Sequence, residues 1–207
     1  FRFVNTGMKL THGISAMIMI FIILAIGPRL ANEMNIAGQF VVNLISILLI
    51  CILGCHNVLY FNHQTLVLGY LLLFGYDVTG DDYKKRILAL FAGVVMTIIV
   101  YYRNHRKKEY KRRISDVFKE ISLTSTRTRW QITLSVGVAF VIFMVEFMGC
   151  PRSMWAGIAA MSIIQPFGND MKSKMKNRVI GNILGAAVFC ALCFVIPESY
   201  NFLFGII

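Results

Sequence analysis

Seven apolar segments follow one another along almost the whole chain, at residues 10–28, 38–55, 65–76, 87–102, 130–149, 154–167 and 179–197. Backbone inside hydrocarbon has no water to bond, so every N–H and C=O must be satisfied within a helix or a closed barrel. These runs lack the period-two alternation of barrel strands, which leaves the helix. The expected fold class is all-α: a polytopic transmembrane helical bundle with seven membrane segments. Composition agrees, since 57% of the 207 residues are hydrophobic and only 15% are charged, where an ordinary soluble domain carries about 25%. Disorder and a typical water-soluble domain are both excluded.

Lys plus Arg number 21 against 10 Asp plus Glu, a net charge of +11. In a membrane protein such an excess gathers in cytoplasmic loops and against lipid headgroups. With the basic stretch 103–129 inside and the side alternating at each span, 16 of the 21 basic residues fall inside. The other five, Arg29, Lys84, Lys85, Arg86 and Arg152, fall outside. On that assignment the loops 77–85 and 197–201 are external. The stretch RNHRKKEYKRR, followed by the helix-compatible ISDVFKEISL, reads as a cytoplasmic connector. Its basic residues suit anionic lipid headgroups, each contributing about 1 kcal/mol, or serve simply as a solvated orientation signal. Nucleic acid is not expected as a partner, because Tyr110 alone among these charges supplies no base-reading or stacking set.

Two segments are too short to cross unaided. Residues 154–167 span 14 positions, about 21 Å of helix against roughly 30 Å of hydrocarbon. The segment is bracketed by Pro151 and Pro166, and 65–76, preceded by Asn62, His63 and Gln64, is similarly short. Such segments are either broken or sunken, as at transporter binding sites, or shielded among neighbouring helices. Lys9 to Pro28 and Arg178 to Pro197 share a spacing at an offset of 169 residues. Each is a basic residue, a small and polar stretch, and an apolar run closed by Pro, which is a weak internal repeat.

Cys51, Cys55, Cys150, Cys190 and Cys193 are odd in number and mostly lie inside apolar runs, so no disulfide framework is implied and Cys190–Cys193 reads as packing. His12, His56, His63 and His105 form no compact histidine box. P-loop, nucleophile-elbow and Asp-rich metal motifs are missing too. The expectation is a non-enzyme with neither cofactor nor metal. Phe1 and Ile207 read as interior points of a longer chain.

Trp155-Ala156-Gly157-Ile158, then Gln165-Pro166, then Arg178-Val179-Ile180-Gly181-Asn182-Ile183-Leu184-Gly185 resemble the fusaric acid resistance protein-like family, the integral membrane-bound transporter domain related to bacterial aromatic acid exporters. Asn182 stands where that pattern usually has Thr. Leu68-Gly69-Tyr70-Leu71, Asp77-Val78-Thr79-Gly80 and Arg86 to Leu90 followed by Gly93 resemble its last two helices in a looser form. The resemblance implies that 1–102 holds the last four helices of a first six-helix unit. It makes 103–123 the connector and 124–207 the first three helices of a second unit. It also implies a multi-pass protein of the bacterial cytoplasmic membrane exporting aromatic or other organic acids.

The substrate expected is then a small organic anion, with Trp155, Gln165, Arg178, Asn182 and Glu146 as candidate contacts. Glu146 is the only acidic residue within an apolar span, suited to proton coupling or to pairing with Arg152. Arg178 reads as the start of its helix, adding a full charge to free N–H groups, or as a snorkelling residue. Trp155 reads as an interfacial anchor or a stacking surface. Gly181 and Gly185, four apart, favour close helix packing. Asn43 and Gln165 are polar residues inside spans with interhelical hydrogen bonding as their plainer role. The competing class is a non-transport membrane scaffold or assembly subunit. Beyond the bilayer, a second copy of the chain stands as a candidate partner.

Overall fold

The computed structural model describes residues 7–54, 62–107, 110–166 and 168–195, with side chains for 7–54, 64–107, 110–166 and 172–191. Cys55, His56, Lys108, the side chains of His63 and Cys193 and the 197–201 loop lie outside the described residues. Among those described, the regular structure is helix: α1 (Leu10–Glu33), α2 (Ile36–Gly54), α3 (Asn62–Gly75), α4 (Gly80–His105), α5 (Ile114–Lys119), α6 (Thr126–Phe147), α7 (Ser153–Ile163) and α8 (Gly168–Val195). α1, α2, α4 and α6 are long and apolar enough to cross a membrane. The all-α membrane bundle expected from the apolar runs is the fold observed.

The chain divides into two compact units, one ending at Pro166 and one beginning at Phe167. In the first, α2 packs on α1 and α6, while α3 and α7 lie against each other and between the longer helices. The core is Ile47, Ile50, Val67, Tyr70, Leu71, Leu134, Val138 and Ile142 with their neighbours. The short segments are shielded among the longer helices: α7 has 11 residues and α3 has 14, about 16 and 21 Å. Their contact needs small residues. A Cβ on Gly75 would overlap Met154, and one on Gly157 would sit 3.1 Å from Ile142 and 3.2 Å from Leu71. α4 packs on α1 and turns Leu88, Phe91 and Met96 outward, each more than 60% exposed, a face suited to hydrocarbon. The boundary between units does not coincide with the connector, because α6, beyond the connector in sequence, packs into the same bundle as α1 to α4.

Three boundaries differ from the apolar runs. Pro28 does not close α1, which continues to Glu33 with Pro28 buried inside it. Proline offers no N–H to the Leu24 carbonyl, and next to that break Tyr83 Oη donates to the Ala25 carbonyl at 3.2 Å. α4 begins at Gly80 rather than near Ile87, since Asp81 and Asp82 suit the positive first turn and pair with Lys84 and Lys85 at 2.8 Å. α8 begins at Gly168, so Arg178 is not a helix start and the basic residues before it are helical. No Gly or Pro interrupts 169–178, and Lys, Met and Ser there are compatible with helix.

Hydrogen bonds tie the ends of the first unit. Lys9 N donates to the Arg112 carbonyl at 2.9 Å, holding the connector to the start of α1. At the far end Arg29 pairs with Glu33 and Asp77, and Asn32 donates to the Phe74 carbonyl. Arg86 donates to the carbonyls of Leu73 and Tyr76. α4 is 26 residues, about 39 Å, long enough to place Asp81 and Lys107 on opposite faces of a bilayer. In a background without native cysteines, Asp81→Cys and Lys107→Cys are expected to react with an impermeant maleimide from opposite faces of the membrane. Labelling of both from one face would refute the crossing.

Candidate functional site

Inside the first unit, polar side chains bridge helices as their burial demands. Tyr70 Oη donates to Asn43 Oδ1 at 2.7 Å, joining α3 to α2, and both residues are fully buried. Gly27 of α1 lets this group approach: a Cβ there would lie 2.9 Å from Ser46 Oγ and 3.0 Å from a Tyr70 ring carbon. Asn43 Nδ2 is buried without a partner among the described residues. From α6, Gln131 Nε2 donates to the Cys51 carbonyl at 2.9 Å, and Ser135 Oγ donates to the Gln131 carbonyl at 2.8 Å. Asn43 thus makes the interhelical bond expected of it. Ser46, Gln131 and Ser135 were not singled out from the sequence, although each interrupts an apolar run.

The two ends of α7 carry different chemistry. At its start, Ser153 Oγ donates to Glu146 Oε1 from across the α6–α7 turn. No ion pair joins Glu146 to Arg152 among the described residues; Arg152 is held in the left-handed region at φ 62°, preceding the helix, and the neighbouring serine takes the carboxylate. Arg152 is exposed and remains free to be solvated. Trp155 is 53% exposed on the outer side of α7. At the other end Gln165 is buried and its Nε2 donates to the Ser162 carbonyl at 3.2 Å, serving one of the carbonyls that a helix end leaves open. Ten residues separate Trp155 from Gln165. The fold therefore brings Ser153 to Glu146 and sets Trp155 and Gln165 at opposite ends of α7.

In the second unit, Arg178, Gly181, Asn182 and Gly185 lie on α8 at i, i+3, i+4 and i+7, which is one face of a helix. A cation, an amide and two bare backbone patches form a single stripe. Among the described residues, no atom outside the helix's own backbone lies within 4 Å of a Cβ built on Gly181 or Gly185. The helix-end N–H groups expected beside Arg178 are instead at Gly168, ten residues earlier, and about 15 Å away. Any anion attraction at Arg178 comes from its own charge. Among the described residues no group of three or more His, Cys, Asp or Glu could hold a metal ion.

Fold and composition define a multi-pass helical membrane protein. Residues 138–207 match the family model described as fusaric acid resistance protein-like. The match contains the Trp155, Gln165-Pro166 and Arg178–Gly185 motifs. No curated protein and no solved structure matches the chain.

Proposed function

We propose that the chain is part of an exporter of aromatic or other organic acids in the bacterial cytoplasmic membrane. The observation that carries the reading is the α8 stripe, which sets Arg178 and Asn182 on one face beside bare backbone at Gly181 and Gly185, within the segment that matches a transporter-like family. A guanidinium and a neighbouring amide suit a carboxylate, and the glycines leave room for an apolar body beside it. Trp155 offers an exposed aromatic surface, Gln165 an amide, and Glu146 a carboxyl for proton coupling.

The test is export from cells or vesicles containing the full-length protein. Arg178→Gln is expected to reduce transport of an aromatic carboxylate at least about 10-fold, the scale of losing one charge-assisted bond, with membrane abundance unchanged. Lys172→Gln in the same helix should change transport little. A fully active Arg178→Gln protein would sink the assignment. The scaffold reading draws on the same stripe, with Gly181 and Gly185 receiving a partner helix. It is favoured if Gly185→Leu destroys assembly while Arg178→Gln has no effect on function.

A further inference from the structure

At the connector end of the first unit, two guanidinium groups share one carboxylate. Arg112 Nη2 donates to Glu120 Oε2. Arg127 reaches the same oxygen from Nη1 at 3.2 Å and Nη2 at 3.3 Å, and its Nη2 lies 3.4 Å from the Glu120 carbonyl oxygen. The Arg112 side chain is 12% exposed, and its Nε and Nη1 are buried with no hydrogen-bond partner among the described residues. Asp116, a second acid among the described residues nearby, accepts from the Arg113 backbone N–H at 2.8 Å.

Unspent donors on a guanidinium withdrawn from water are costly, because the lost hydration is not replaced. Burial is the largest influence pulling Arg112 below the ordinary arginine pKa, and the Arg127 charge adds to it against the pull of Glu120 and Asp116. The position is fixed from several sides. The Arg112 carbonyl accepts from Lys9 N before α1, Arg127 is the second residue of α6, and α5 packs on α1 and α2. The pair therefore stands where two long helices begin, and helix starts favour negative charge.

We propose that Arg112 and Arg127 form an oxyanion cradle in which Glu120 is a tethered occupant, and that a carboxylate or phosphate oxyanion binds there in its place. Planar guanidinium groups recognise both kinds of oxygen. The cradle rests on connector geometry alone. Its use as the entry station for a transported anion rests in addition on the exporter reading.

The test uses the full-length protein in nanodiscs, with Glu120→Gln to vacate the cradle and thermal unfolding as the readout. One arm titrates benzoate into neutral phosphatidylcholine discs, with chloride controls at equal ionic strength; the other replaces part of that lipid with phosphatidylglycerol and adds no benzoate. Glu120→Gln should unfold at lower temperature than the parent and regain the difference when the oxyanion is supplied, as binding to the folded state requires. In the benzoate arm its affinity should be about 10-fold tighter than the parent's, since no tethered carboxylate competes. Recovery with benzoate identifies a soluble carboxylate as occupant, and recovery with phosphatidylglycerol identifies a lipid phosphate; both support the cradle. Adding Arg112→Gln should erase the recovery, and Arg127→Gln supplies the same test if that double variant does not fold. No recovery in either arm, or recovery that survives loss of both arginines, overturns the proposal. Binding without export would keep the cradle and remove the exporter reading, so the two fail separately.

Discussion

Gly157→Leu is expected to remove most of the folded protein from the membrane. α7 is an 11-residue helix lodged against α3 and α6, and position 157 faces both. A single added carbon already sits 3.1 Å from Ile142 and 3.2 Å from Leu71, two side chains with almost no exposure. Those neighbours must move by tenths of an ångström for alanine. Leucine adds three more carbons to a place with no free volume, and overpacking of this kind costs about 1–3 kcal/mol or more. Gly69→Leu is the matched control, because among the described residues nothing outside the helix's own backbone lies within 4 Å of a Cβ at that position. Detergent-solubilised yield and melting temperature should fall steeply for Gly157→Leu, less for Gly157→Ala, and little for Gly69→Leu. Equal behaviour of the two leucine variants would show that the α3–α7 contact is not as described.

The second large effect is expected at the Asn43–Tyr70 bond. Tyr70→Phe keeps the ring and removes the hydroxyl that donates to Asn43 Oδ1, leaving a fully buried amide whose Nδ2 is already without a partner among the described residues. An unsatisfied buried polar group costs about 1–3 kcal/mol. Asn43→Leu in the wild-type background removes the acceptor of the tyrosine hydroxyl instead. Removing both groups leaves an apolar contact, so the double variant should be more stable than the sum of the two single losses predicts. A double-mutant cycle in detergent or bicelles measures this. Additive losses would mean that the two side chains do not act as a pair.

The spans were legible because continuous apolar sequence has few places to go except hydrocarbon. α1, α2, α4 and α6 each fall on such a run, and the shortness of 65–76 and 154–167 already required broken or shielded segments. That these two segments shield one another was not legible, since their contact is long-range and rests on Gly75 meeting Met154 and Gly157 meeting Leu71. Helix boundaries failed where polarity was mistaken for loop. Lys172, Lys174 and Lys176 are as compatible with helix as with a turn, and only the absence of Gly and Pro between 169 and 178 argued for helix. Pro28 misled in the opposite sense, because a proline buried among tightly packed helices can remain within one. Of the candidate site residues, the motif positions on α8 share a face by spacing alone, which sequence can show. The Ser153–Glu146 bond depends on the backbone of the 148–152 turn, with Gly149 and Arg152 both at positive φ, and sequence gave no means to choose it over Arg152.

The bond from Gln131 to the Cys51 carbonyl joins residues 80 positions apart. At a synthesis rate of about 5–20 residues per second, Cys51 leaves the ribosome roughly 4–16 s before its partner exists. Throughout that interval α2 is available for insertion while α6 is still being translated or not yet begun, so its future contact surface must be covered by lipid or by the insertion machinery. The bundle is thus completed from the far side of the connector. A nascent chain arrested before residue 126 carries α1 to α4 and not the helix that closes them, which makes the pace of translation through the basic stretch a determinant of how long the half-built core stays open to quality control.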